Sequence, residues 1–261
     1  MCTLIALHRC VPGAPIVIAA NRDEFLDRPA SPPTLWAGEG PELVAPRDLK
    51  AGGTWLGLNR TGLFAGLTNR PVASLDPSLR SRGSVVVRAL GAASADEAAE
   101  DLLRLPAGVF NPFNLLLADR QRAFAVVYDG APTVRELAPG VHVIGNADPD
   151  DRSVPKVAAL LARAEAAAAG PAGRVLDALA AICRGHSEQG RSRESACIHL
   201  DAYGTRSSTL LRLGAEPADG TWRWAEGPPC TTPYRDITGL LHVLESGPRQ
   251  TAGEHETRAL P

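Results

Sequence analysis

Cys2 follows the initiator methionine directly, so removal of Met1 leaves a thiol and a free α-amine on one residue. Cysteine is among the small second residues that favour methionine removal in the cytosol. The result is a nucleophile carrying its own base, by the same logic as threonine nucleophiles that use an N-terminal amine. An α-amine titrates near ~7.7–8.0 and a thiol near ~8.5, so at neutral pH the amine can take the thiol proton without a tuned histidine. Downstream, Asn21-Arg22-Asp23-Glu24 gathers an amide, a cation and two carboxylates. Ordinary alternatives stand beside both features: a small residue opening an edge strand, and a solvated turn with local ion pairs.

The elements that must position these residues begin with a hairpin. Residues 2–8 and 15–20 are short apolar, β-prone runs, and Val11-Pro12-Gly13 between them reads as a turn. A turn centred on Pro12 and Gly13 sets Cys2 opposite residues 22–24, beside the acidic-basic tetrapeptide. Residues 26–44 carry Pro29, Pro32, Pro33 and Pro41 and read as irregular, a flap or pocket wall holding Trp36. A second hairpin runs through Gly52–Leu58 and Leu63–Asn69, with glycines at 57 and 66 leaving strand surface open to close approach. Residues 71–81 form a loop.

Two helices follow, over about 84–91 and from the Ser94 cap to about 105, the second opened by Ser94 with Glu97 three residues on. Strand signals at 114–118, 123–128, 133–137 and 141–144 read as a four-stranded antiparallel meander. A helix capped by Ser153 reaches about Ala169, and another covers 174–184. The final strands are 196–200, 205–213 and 222–225. This order predicts an α+β fold with two antiparallel sheets face to face and helices outside. One domain spans 1–245, and the polar, patternless residues 246–261 read as a disordered tail.

Composition narrows the function. A net charge of −2 and pI near 6.3 give no footprint for nucleic acid or an anionic membrane, so a small-molecule substrate or ligand is the expected partner. Hydrophobic residues at 44% suffice for a core, and no apolar run reaches the length of a membrane span. The first twenty residues lack a signal-peptide pattern. Five cysteines at 2, 10, 183, 197 and 230 show neither metal-type spacing nor an even disulfide set, and the six histidines show no metal spacing either. Reduced cytoplasm and no metal or organic cofactor are the expectations. Oligomeric state is not legible.

Cys2-Thr3, Asn21-Arg22-Asp23-Glu24, Gly52-Gly53-Thr54-Trp55-Leu56-Gly57, Thr68-Asn69-Arg70, Gly145-Asn146 and Tyr203-Gly204-Thr205-Arg206 together resemble the NRDE family. That family is also called the transport and Golgi organisation protein 2 family, and the resemblance spans about residues 2–240. More distantly the chain is similar to N-terminal-nucleophile hydrolases of the penicillin V acylase and bile salt hydrolase type. The resemblance implies a four-layer αββα sandwich and an amidohydrolase cleaving a non-peptide amide or acyl linkage through Cys2. Those hydrolases carry an Arg-Asn-x-Asp segment where this chain has Asn21 to Glu24, the same residue types shifted and reversed. Either Asp23 or Glu24 would then hold the amine, and Arg22 would favour the thiolate. Asn69 and Asn146 would donate to the oxyanion. Asn21, Trp36, Trp55 and Arg206 are the substrate-binding candidates. The eukaryotic relatives' association with lipid and haem handling implies a rival role: binding or trafficking an apolar ligand such as haem, lipid or acyl-CoA, without hydrolysis.

Overall fold

A computed structural model of the chain describes residues 2–38, 40–187, 192–215 and 219–246. Its first hairpin is longer than the apolar runs suggest. β1 (Thr3–Val11) and β2 (Ala14–Phe25) pair antiparallel around Pro12 and Gly13, and Gly13 supplies the left-handed φ of +68° that the turn needs. Strands β3 (Ala30–Trp36), β4 (Leu43–Asp48), β5 (Leu56–Asn59) and β6 (Phe64–Asn69) come next, then helices α1 (Gly83–Ala89) and α2 (Ala95–Leu103). The expected Ser94 cap forms, its hydroxyl accepting from the Glu97 N–H while the Glu97 carboxylate accepts from the Ala93 N–H. After β7 (Phe113–Ala118), β8 (Ala123–Tyr128), β9 (Pro132–Leu137) and β10 (Gly140–Ile144) come α3 (Pro155–Ala169) and α4 (Val175–Cys183). β11 (Tyr203–Leu213), β12 (Thr221–Ala225), the two-residue β13 (Arg235–Asp236) and α5 (Gly239–Ser246) complete the described chain.

The strands form two antiparallel sheets, ordered β10-β1-β2-β11-β12-β13 and β3-β4-β5-β6-β7-β8-β9. Three apolar layers hold them. Leu4, Ile16, Ile18, Phe64, Leu116 and Trp222 fill the space between the sheets. α1 and α2 cover the seven-stranded sheet over Leu63, Val86, Leu115 and Tyr128. α3 and α4 cover the other sheet over Ile5, Val17, Leu161 and Leu179. The αββα sandwich expected from the sequence is therefore the fold. The inter-sheet contact is close at Gly66, where an added Cβ would lie 2.5 Å from Leu4 Cδ1. Among the described residues no helix is long and apolar enough to cross a membrane.

Several local expectations are corrected. The proline-rich stretch 26–44 is not irregular: it supplies β3 and the start of β4. Pro32 and Pro33 sit at a register shift between Ser31 and Thr34 on an outer strand, where a missing N–H breaks no ladder. The four-stranded meander is three strands long, because β10 leaves β9 and pairs with β1 in the opposite sheet. Ser153 does not cap α3. Val154 is the cap residue, Pro155 opens the first turn, and the Ser153 hydroxyl donates to Asp151 instead. Residues 196–200 form a single bridge, His199 to Gly204, rather than a strand. The tail expected from 246 onward lies outside the described residues, apart from Ser246, which ends α5.

Candidate active site

The ladder at the open ends of β1, β2 and β10 decides which side chains meet. Thr3 pairs with Asn21, so the next step of the register sets Cys2 against Arg22. On its other side β1 pairs Leu4 with Ile144, and two further steps set Cys2 against Asn146. Alternation then sorts the tetrapeptide onto two faces. Ile16, Ile18 and Ala20 of β2 point between the sheets, while Val17 and Ala19 point toward α3 and α4. Arg22 and Glu24 continue the first face; Asn21 and Asp23 continue the second.

The contacts follow this division. Arg22 is buried, with its guanidinium carbon 4.2 Å from the centre of the Trp55 ring. Glu24 accepts from the Phe25 N–H at 2.9 Å and lies 3.8 Å from Arg28, which is itself paired bidentately with Asp48. On the opposite face the Asn21 amide donates to the carbonyls of Cys183 (2.9 Å) and Ala196 (2.8 Å). Asn21 is thereby tied into the fold behind the sheet, on the face away from the cleft. Asp23 is fully buried; its carboxylate accepts from the Thr205 hydroxyl at 2.6 Å and its carbonyl from the Tyr203 hydroxyl at 2.7 Å. The Cys2 thiol points at the same Asp23 carbonyl from 4.0 Å.

Burial pushes the Asp23 carboxyl up from its ordinary 3.8 to about 6, against the charge of Lys156 and the Thr205 hydrogen bond. Burial also raises the Cys2 thiol, with Asp23 adding to the rise and Arg22 opposing it. It lowers Arg22 and Arg82, and in both a Cys2 thiolate and Glu24 act against the drop. Lys156, on the first turn of α3, is lowered by burial and held up by Asp23.

Two cavities meet at Cys2. One, of about 210 Å³, is lined by Thr3, Val143, Asn146, Val157 and Leu160, with Lys156, Arg193 and Glu194 also on its wall, and its surface is mostly apolar. The buried Thr3 hydroxyl there has no hydrogen-bond partner among the described residues. The other is a cleft of about 480 Å³ between the sheet ends, reaching Arg22, Glu24, Trp55, Asn69 and Arg82. Arg28, Lys50 and Arg80 also border it, against the carboxylates of Glu24, Asp48 and Asp76, so its charge is net positive.

Asn69 ends β6 at the rim of the cleft, and its carbonyl accepts from the Asn146 side-chain amide. The loop carrying Asn146 is clamped from the facing sheet. Asn114 donates to the carbonyls of Gly145 (3.1 Å) and Ala147 (2.7 Å), and the Thr68 hydroxyl donates to Gly145. Nothing in the linear sequence points to Asn114, Arg82 or Lys156: the first two reach Cys2 only through the packing of one sheet on the other, and Lys156 only through the packing of α3 on β1 and β10.

Trp36 stands apart from both cavities. Its indole N–H donates to the Ala45 carbonyl, its ring stacks under Arg47 at 3.8 Å, and it packs on the core beneath α1 and α2. Arg206 is the extra residue of a bulge in β11, between Thr205 opposite Asp23 and Ser207 opposite Arg22. Its Nε is buried without a hydrogen-bond partner among the described residues, and it lines neither cavity beside Cys2. Met1 lies outside the described residues.

A family model described as "Transport and Golgi organisation 2" matches residues 1–218. The bovine Transport and Golgi organization protein 2 homolog is 29% identical over 235 residues, covering 77% of this chain and 83% of the relative. The human homolog is 34% identical over 140 residues, covering 51% of this chain and 50% of the relative. Among solved structures, a conjugated bile acid hydrolase from Clostridium perfringens superposes with a TM-score of 0.58 at 12% identity, over 94% of each chain. The Caenorhabditis elegans ortholog of N-acylethanolamine-hydrolyzing acid amidase gives a TM-score of 0.54 at 14% identity, over 80% of this chain and 91% of that one. At such identities the likeness is one of fold.

Proposed function

This chain belongs to the Transport and Golgi organisation 2 family, and from that premise we propose that it is an N-terminal-cysteine amidohydrolase. It cleaves a non-peptide amide or related acyl linkage through Cys2 once Met1 has been removed. The observation that carries the reading is the position of Cys2, between Arg22 and Asn146 in the ladder and at the junction of an apolar chamber and a cationic cleft. The likeness of the fold to an N-acylethanolamine-hydrolyzing acid amidase ortholog and a conjugated bile acid hydrolase supports it as analogy.

In this mechanism the α-amine of Cys2 takes the thiol proton and Sγ attacks the substrate carbonyl. Arg22 favours the thiolate. The developing oxyanion is met by the Asn69 side-chain amide and by the second N–H of the Asn146 amide, whose first is held by the Asn69 carbonyl. Collapse breaks the carbon–nitrogen bond, and the protonated α-amine returns its proton to the leaving amine. Water, deprotonated by the same amine, then hydrolyses the thioester and frees Sγ. We assign the orientation of the amine to Asp23 rather than Glu24, because Glu24 is engaged by Arg28 and the Phe25 N–H on the cleft side. The acyl group enters the apolar chamber, and the polar or anionic remainder lies along Arg22 and Arg82. Labelling by a thiol-reactive acylating probe tests the reading. Labelling lost in Cys2→Ala but kept in Cys183→Ala and Cys197→Ala supports it; equal labelling in all three contradicts it.

The apolar chamber also favours a second reading, binding or carriage of an apolar ligand without turnover. At about 210 Å³ it falls below the ~300–1,000 Å³ usual for drug-sized ligands, so it suits an acyl chain better than haem. Thermal stabilisation by long-chain acyl compounds without any hydrolysis would favour carriage over catalysis.

A further inference from the structure

A second cluster of nucleophilic and metal-ligating side chains lies in the loops behind the six-stranded sheet, and the mechanism above does not use it. His186 follows α4, Cys197 and His199 precede β11, and Cys230 follows β12. Cys197 Sγ is 3.5 Å from Cys230 Sγ and 3.6 Å from His199 Nε2, and His199 Nε2 is 3.0 Å from Cys230 Sγ. Ligand atoms of His186, His199 and Cys230 all fall within 4.8 Å of one another; the Cys197 sulfur lies outside that set and has to close on His186 to complete a four-ligand shell. A tetrahedral zinc with bonds of ~2.3 Å to sulfur and ~2.0–2.1 Å to nitrogen requires edges of roughly 3.8 Å between sulfurs, 3.5–3.6 Å between sulfur and nitrogen and 3.3–3.4 Å between nitrogens. Two of the three short edges here already lie near these values, and the third needs to open by about 0.5 Å.

The backbone around each ligand is fixed without any ion. The Cys197 N–H donates to the Gly185 carbonyl at 3.0 Å, and the Thr205 N–H to the Ile198 carbonyl at 2.9 Å. The Cys230 turn is closed by the Thr231 and Thr232 N–H groups donating to Pro228, and Arg184 Nε donates to the Pro229 carbonyl at 3.2 Å. His186 Nδ1 lies 3.1 Å from the Cys197 carbonyl. A carbonyl only accepts, so Nδ1 carries the proton and Nε2 presents its lone pair, the orientation that a backbone partner gives a metal-ligating histidine.

We propose that His186, Cys197, His199 and Cys230 form a structural binding site for a zinc-class divalent cation. Two thiolates balance the charge of the ion, so binding releases two thiol protons to solvent, and two neutral imidazoles complete the tetrahedron. The site joins the end of α4, the segment before β11 and the loop after β12. That segment also carries Ile198, whose N–H donates to the Thr205 hydroxyl that holds Asp23.

The test uses the full chain, reduced and stripped with a chelator, and titrated with Co²⁺ as a spectroscopic probe. The expected result is one equivalent bound, with thiolate-to-cobalt charge-transfer absorption that Zn²⁺ displaces and Cys10→Ser retains. The absorption is lost in Cys197→Ser and Cys230→Ser. In His186→Ala, a substitution at an exposed side chain, affinity falls at least tenfold. Absence of the charge-transfer band in folded wild-type protein would overturn the proposal, as would a band unchanged in His186→Ala and Cys230→Ser. A Cys197–Cys230 disulfide that forms on mild oxidation and is unaffected by prior Zn²⁺ would overturn it as well.

Discussion

The neighbourhoods of Cys2 and of the Cys197–Cys230 pair place the same functional group in two different settings. At Cys2 a β-ladder sets the surroundings: Arg22 directly across on β2, Asn146 two residues past the end of β10, and Asp23 on the reverse face of β2. Around Cys197 and Cys230 three loops converge, and the neighbours are imidazoles and a second sulfur rather than a guanidinium and a carboxylate. Cys183 makes a third case, fully buried beside Ser208 and Tyr234 and pushed by that burial to about 12. A thiol next to a fixed cation and an open cleft suits nucleophilic attack. One facing nitrogen and sulfur donors suits a soft metal, and one sealed in the core suits neither.

The sharpest way to break this contrast is to exchange the roles. Cys2→Ala is expected to lower acyl-transfer turnover on the order of 10⁴-fold or more, while Cys183→Ala stays within about twofold, measured by steady-state kinetics on an N-acyl amide. Next in size are Asn69 and Asn146, the proposed oxyanion donors. Asn69→Ala and Asn146→Ala should each cost about 10²- to 10³-fold in kcat with little change in KM, because the interaction strengthens only in the transition state.

Asp23 separates catalytic from stability effects by pH. Its folded value of about 6 exceeds the ordinary 3.8, so between about pH 4 and 6 the folded chain binds more protons than the unfolded one. Stability then falls as pH rises through that window, by roughly 3 kcal/mol in all. Activity that needs the carboxylate does the opposite, declining as pH falls through about 6. Asp23→Asn is expected to flatten the stability profile, seen in denaturant titrations from pH 4 to 7, and to remove the ionisation behind the acidic limb of kcat/KM. The smallest effect is at Asn114→Ala. Releasing the Gly145 and Ala147 carbonyls costs about 1–3 kcal/mol of stability, and a loss of kcat beyond what that predicts would locate Asn114 as a positioning residue for Asn146.

How much was legible in the sequence follows the same division between ladder and loop. The Pro12-Gly13 turn fixed the register, and a period of two did the rest, so the meeting of Cys2 with residues 22–24 could be read directly. The same alternation, carried one step further, would have sent Asn21 to the helix side and out of the cleft. Pro32 and Pro33 masked β3 because the outermost place of a strand is a property of the whole sheet. The apolar run 141–144 announces a strand without saying which sheet it joins. The loop cluster had no linear signature, since its four ligands are spaced over residues 186 to 230 and only Cys197 and His199 are near neighbours in the chain. Trp36 looked like a pocket wall on a proline-rich loop. On a strand it became part of the core beneath α1 and α2.

The proposed catalysis by Cys2 requires a free α-amine beside the thiol, and the intact mass of the purified native protein reads that state directly. A mass lacking Met1, with one acyl adduct on Cys2 after brief exposure to the acylating probe, is the predicted result. A mass retaining Met1 in protein that still turns over an N-acyl amide would contradict it.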